Sequence, residues 1–172
     1  MDIPHAEGAG KSASFWNFSL LVYRLPGVAP VLLSLQDDLD ADVNLILFGL
    51  WRGTGGLYVS SGEFRALDAE IREWREEIVR PARSLRRSIK ERMDGVVESA
   101  LYEDGKRLEL QAEQAQQRRM YISGQCLAAG RLGENPDDAL AFNLAAYADV
   151  LGVAFPDETV SLLLEACRGV RR

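Results

Sequence analysis

Residues 43–51 read Val-Asn-Leu-Ile-Leu-Phe-Gly-Leu-Trp, with Asn44 as the one polar side chain. A helix that is apolar on every side has to be buried on every side. The run is far shorter than the ~20 residues a membrane span needs. It therefore predicts the central helix of a globular domain, capped by Asp42 and stopped at Gly53. The remaining segments read as cover for it, which makes the expected fold all-α: one irregular bundle of about six to eight helices around this buried one.

A chain of 172 residues is long enough to bury a core without disulfides or metal. Twenty basic and 26 acidic residues give a net charge of −6, which argues against a general nucleic-acid binder. Cys126 and Cys167 lie far apart in helix-like apolar context, where cysteine behaves as a small hydrophobe. Without an Arg-rich or apolar leader or a run of membrane length, the expected setting is the cytoplasm, with no membrane span.

Residues 1–13 are small, polar and unpatterned, and predict a disordered tail before one helical domain over 14–172. A first helix is expected over residues 14–24. Phe15, Phe18 and Val22 form one stripe on it, and Trp16, Leu20 and Tyr23 a second. Val28, Val31, Leu32, Leu35 and Leu39 mark the next helix, with Pro30 in its first turn. Ser60 and Glu63 form a capping box for a long helix. Its seam runs through Phe64, Leu67, Ile71, Trp74, Ile78, Ala82, Leu85, Ile89, Met93, Val96 and Ala100. Pro81 predicts a kink or break in it, and Gly95 and Gly105 further weak points. Val97, Leu101, Leu108, Ala112, Ala115 and Ile122 make a thin stripe on a polar helix, expected at the surface or in an oligomer seam. Gly124, Gly130 and Gly133 read as a loose connection. Asn135-Pro136 starts a second buried helix over 139–151, and a last helix opens at Pro156-Asp157.

Three motifs fail on their spacing. Gly8-Ala9-Gly10-Lys11-Ser12 is the tail half of a phosphate loop, but His5 stands where the first glycine belongs and no strand precedes. Asp38, Asp40, Asp42 and Asn44 alternate like calcium-loop ligands, yet Val43 and Gly49 hold the places of the required glycine and glutamate. The Gly-rich stretch after residue 52 follows a helix and reads as a connector. The expected metal and cofactor complement is none.

Two clusters are candidate sites. Trp16, Tyr23, Gln36, Asp37, Asn44 and Trp51 combine aromatic surface with a few polar groups and suit a pocket between the first three helices. Arg83, Arg86, Arg87, Lys90 and Arg92 form the one strongly basic patch and suit a phosphate backbone. The same arginines are also expected to pair with Glu70, Glu73, Glu76 and Glu77 just upstream. Asn44 is expected to bond Gln36 or the carboxylates near Asp37, tethering the second helix to the third.

Phe15-Trp16-x-Phe18-Ser19-Leu20, Tyr23, Leu35-Gln36-Asp37, Asp42-Val43-Asn44-Leu45-x-Leu47-Phe48 and Leu50-Trp51 together resemble an uncharacterised proteobacterial family of small helical proteins, catalogued as a domain of unknown function. The Pro81–Arg87 stretch resembles that family's basic helix. The likeness spans residues 14–115, leaving 116–172 as a C-terminal helical extension packed on it. It implies a helical domain and a bacterial cytosol, and brings no catalytic residue or ligand.

The single histidine, His5, lies in the expected tail, so a His-based dyad or triad lacks its base, and no His/Cys/carboxylate set has metal spacing. The inventory argues against an enzyme. It favours an interaction or adaptor module with a protein partner or a second copy of itself. A small-molecule pocket around Asp37, Asn44 and Trp51 is the alternative, and nucleic-acid contact through residues 83–92 a lesser one.

Overall fold

The computed structural model describes residues 6–126 and 135–170, with side chains from 14 to 124 and from 135 to 170. Expectations for residues 1–5, Gly130 and Gly133 lie outside the described residues. The chain is an all-α bundle: α1 (Ala6–Tyr23), α2 (Val28–Leu39), α3 (Val43–Thr54), α4 (Ser61–Trp74), a π-helical turn (Arg75–Val79), α5 (Arg80–Glu91), α6 (Val96–Cys126), α7 (Pro136–Leu151) and α8 (Asp157–Val170). Among the described residues no single helix is long and apolar enough to cross a membrane.

The apolar run is the centre of the bundle. Residues 44–50 of α3 are all buried. Asp42 caps it, its Oδ1 accepting the Asn44 backbone N–H at 2.8 Å. Gly53 does not stop the helix, which runs to Thr54. It is a crossing point instead: a Cβ there would sit 2.9 Å from the Leu140 Cα, and one at Gly49 would sit 3.5 Å from the Asn143 Cβ. Two glycines one turn apart let α7 lie directly on α3. α7 is the second buried helix expected over 139–151, with Ala139, Leu140, Asn143, Leu144, Tyr147 and Ala148 buried.

α1 begins at Ala6, ahead of the expected start at Ser14. Alanine, glutamate and lysine in that stretch are good helix formers, so the part of the expected tail from residue 6 to 13 is helical. The incomplete phosphate-loop motif therefore lies on a helix. Gly27, with φ +79°, turns the chain into α2, a conformation that costs glycine nothing. Asp40 ends α2 in the left-handed region (φ 53°).

Pro81 does not break the long helix. The π turn at Arg75–Val79 precedes it, with the Arg80 N–H reaching back to the Arg75 carbonyl. This widened turn gives the ring room and carries one residue more than an α turn. One residue is about 100° of helix, so the buried face changes phase. Upstream it is Phe64, Leu67 and Ile71; downstream it is Val79 and Ala82, while Ile78 and Leu85 of the expected seam are exposed. The same rotation carries Arg83 and Arg86 inward, both with side chains 20% exposed.

The seam breaks after Glu91, before α6 starts at Val96, as Gly95 suggested. Gly105 does not interrupt α6. A Cβ there would stand 3.6 Å from the Arg86 Cα, so it is where α5 and α6 press together. Gly124 likewise stays helical, against the Phe48 ring. Val97, Leu101, Leu108 and Ile122 of the apolar stripe on α6 are exposed, which fits a stripe expected at the surface, and Ala112 alone of it is buried. Glu109, Gln116, Gln117 and Met120 are buried beside it, the polar three because α5 and α3 offer arginine, carboxylate and amide partners across the gap.

Candidate functional site: a charged and aromatic cleft

An open cleft of about 280 Å³ lies between α1, α2, the start of α3, α5 and α6. Trp16, Leu20 and Tyr23 form one wall, all half-buried. This is the second stripe of α1, and the first stripe faces the core: Phe15 and Val22 are fully buried. Leu33 on α2 and Leu110 on α6 line the mouth while remaining 41% and 46% exposed. Asn44, Gln117 and Ser19 lie deeper, as a buried relay across three helices. The Ser19 hydroxyl donates to Gln117 Oε1 at 3.1 Å, and Gln117 Nε2 donates to Asn44 Oδ1 at 2.8 Å. Asn44 thus ties α3 to α6, not to α2 as expected.

The charged wall comes from α5 and α6. Arg83 Nε donates to Glu109 Oε1 (2.8 Å), Nη1 to Gln36 Oε1 (2.5 Å) and Nη2 to Glu113 Oε1 (2.7 Å). Arg86 Nε donates to the other Glu109 oxygen. The two carboxylates, one turn apart, are pushed in opposite directions. Burial pushes Glu109 up, but the hydrogen bonds from Arg86 and Arg83 outweigh it and hold its carboxyl below the usual range. Burial wins at Glu113, whose carboxyl is held above the usual range despite Arg83. Burial and the nearby Glu113 also raise the Tyr23 hydroxyl.

Below the cleft, Asp42 is a second hub. Its Oδ2 accepts from Gln116 Nε2 at 2.7 Å and from Arg75 Nη1 at 3.4 Å, while its backbone N–H donates to the Tyr147 hydroxyl at 2.8 Å. The alternating acids do not converge on a point. Asp38 accepts from the Ser34 hydroxyl, Asp40 from Arg80 and Asp37 from Arg87. Among the described residues no three His, Cys, Asp or Glu side chains come together as metal ligands.

The two sequence candidates meet in this one cleft. Trp16, Tyr23, Gln36 and Asn44 of the pocket set line it, and so do Arg83, Arg86 and Arg87 of the basic set. Asp37 is exposed outside it, pairing Arg87 at 3.1 Å. Trp51 is also outside, stacked on Phe15 at 5.0 Å and tilted against Tyr121 at 6.0 Å. Lys90 and Arg92 are exposed on the far turn of α5, where Arg92 donates to the Ser88 carbonyl. The inward arginines pair with α6 and α2 rather than with the upstream glutamates, because the π turn rotated them away from those neighbours. Tyr102, Lys106, Glu109, Glu113 and Gln117 were missed as cleft residues. Their spacing of four, three, four and four is itself a helical stripe, legible as a polar face turned toward something.

Residues 14–120 match a family model described as a protein of unknown function, DUF2390. No curated protein and no solved structure matches the chain.

Proposed function

This chain belongs to the DUF2390 family, a family without a described activity, and we propose from its geometry that it is a binding domain for a small molecule held in the cleft between α1, α2, α5 and α6. The observation that supports this reading is the convergence of aromatic, amide and arginine side chains on one open concavity. Its apolar rim residues, Leu33 and Leu110, stand nearly half exposed. Natural ligand pockets share this make-up of apolar walls with a few placed polar groups, and at about 280 Å³ it lies at their small end.

A ligand present at about a hundred times its Kd stabilises the folded state by ~2.7 kcal/mol. For a chain of this size that is a rise of roughly 5–10 °C in Tm. The small-molecule ultrafiltrate of the host cell is expected to raise the Tm of the wild type and to leave the double variant Leu33→Trp/Leu110→Trp unmoved. Both substitutions are at exposed rim positions, so the added rings fill the mouth without entering the core. An equal response from the two proteins refutes the reading.

A second reading, protein interaction, draws on the turn between α5 and α6. Met93, Val96, Val97 and Leu101 are exposed there, Val96 by 87% and Val97 by 78%. Sedimentation velocity on the wild type and on Val96→Asp/Val97→Asp tests it. A complex that the double variant loses supports it, and identical monomeric behaviour refutes self-association through this turn.

A further inference from the structure

Resting on the reading of the cleft as a ligand site, we propose that its ligand is a small organic anion with an apolar body. The carboxylate or phosphate would sit at Arg87 and Lys106, beside Arg86, and the apolar part against Trp16, Leu20, Leu33 and Leu110.

Arg83, Arg86, Arg87 and Lys106 line the cleft against Glu109 and Glu113. Arg83 and Arg86 are matched by these two lining carboxylates, whereas Arg87 and Lys106 are matched only by Asp37 and Glu103, which stand outside the cleft. An anion that displaces those two outer carboxylates meets two positive charges in a concave surface, which focuses their field on it.

The cations differ in how firmly they are held. Arg83 uses its whole fork on Glu109, Gln36 and Glu113. Arg86 is fixed by Glu109. Arg87 and Lys106 are held loosely. Arg87 pairs with Asp37 at 3.1 Å with both side chains about half exposed. Lys106 pairs with Glu103 at 3.6 Å, again with both exposed. Exposed pairs of this kind hold only weakly in water, so an entering anion can displace Asp37 and Glu103 at little cost. The close approach of α5 to α6 at Arg86 and Gly105 places Arg87 and Lys106 next to one crossing. Arg83, Arg86 and Glu109 then act as the fixed frame, and Arg87 and Lys106 as the exchangeable cations.

The remaining surface calls for an apolar group. Leu33 and Leu110 come from different helices and are exposed at the mouth, while Trp16 and Leu20 continue the surface inward. A bare inorganic anion leaves all four in water; an anion on a flat or branched hydrocarbon body covers them.

Isothermal titration calorimetry with three probes of one shape tests this: 1-naphthoate, 1-naphthyl phosphate and the neutral 1-naphthamide. At least one anion is expected to bind tenfold or more tightly than the amide. The preferred head group then tells a carboxylate ligand from a phosphate one. Arg87→Ala/Lys106→Ala is expected to bring the anion to the affinity of the amide, and the milder Arg87→Gln/Lys106→Gln to do the same, with unchanged Tm. Binding of the amide as tight as that of both anions overturns the proposal, and so does failure of both anions to bind. Neither outcome touches the cleft reading, which is decided by the ultrafiltrate and the rim-filled variant.

Discussion

Asn143 offers the strongest single test of how the core is held. It is fully buried in α7. Its Nδ2 donates to the Gly49 and Leu57 carbonyls, both at 2.9 Å, and its Oδ1 accepts the Val59 N–H at 2.7 Å. One amide thus fastens α7 to α3 and pins the loop between α3 and α4. In Asn143→Ala the Gly49 carbonyl keeps its place in the α3 ladder, but the Leu57 carbonyl and the Val59 N–H lose a buried partner. Each orphaned group costs ~1–3 kcal/mol, so the expected loss is about 2–6 kcal/mol. That is a large part of the ~5–15 kcal/mol a domain of this kind has in total. Urea unfolding followed by tryptophan fluorescence reads it, through Trp51 stacked on Phe15 in the core. The midpoint should fall with an unchanged slope. Asn143→Asp has nearly the same shape and still accepts from Val59, but turns acceptors toward two carbonyls, and should be at least as damaging. A loss below ~1 kcal/mol for both variants would refute the view of this amide as a structural fastener.

Other outcomes follow from the same geometry. Gly53→Ala places a Cβ 2.9 Å from the Leu140 backbone, forcing α3 and α7 apart at a cost of ~1–3 kcal/mol. Gly62→Ala meets nothing closer than 3.9 Å in an exposed first turn and should stabilise by ~0.5–1 kcal/mol; urea titrations of both variants check the pair. Glu113→Gln tests the electrostatics. The folded-state pKa of Glu113 is raised by burial, so its ionisation costs stability; that cost is absent below the unfolded value and grows as pH rises through the folded one. The glutamine variant, which keeps an oxygen for Arg83, should therefore melt higher than wild type near pH 8, with the gap closing toward pH 4. A lower Tm at pH 8 contradicts this.

The central helix, its Asp42 cap, the Ser60–Glu63 capping box and the Asn135 cap are legible because each is a local pattern with a local cause. The Ser60 hydroxyl accepts the Glu63 N–H and the Glu63 carboxylate accepts the Ser60 N–H, as the spacing requires. The phase of α5 is not legible. A π turn leaves no mark in a hydrophobic pattern, and a seam extended past it assigns Ile78 and Leu85 to a core they do not enter. The buried face of α6 is hidden for a related reason. Glu109, Gln116 and Gln117 look like solvent residues until Arg83, Asp42 and Asn44 are set opposite them. Half of the cleft was visible in the stripe of Trp16 and Tyr23 and in Arg83, Arg86 and Arg87. That these belong to one place depends on how α1 and α5 pack on α6, which no local spacing encodes. Trp51 misled because an aromatic beside a polar run looks like pocket lining, whereas here it completes the ring cluster of Phe15, Phe48 and Tyr121.

Native mass spectrometry of the protein purified gently from its own host is the most direct test of the cleft. The expected species is a polypeptide carrying one small molecule at stoichiometric occupancy, lost in Leu33→Trp/Leu110→Trp. A bare polypeptide mass, or an adduct that the rim-filled variant retains in full, contradicts it.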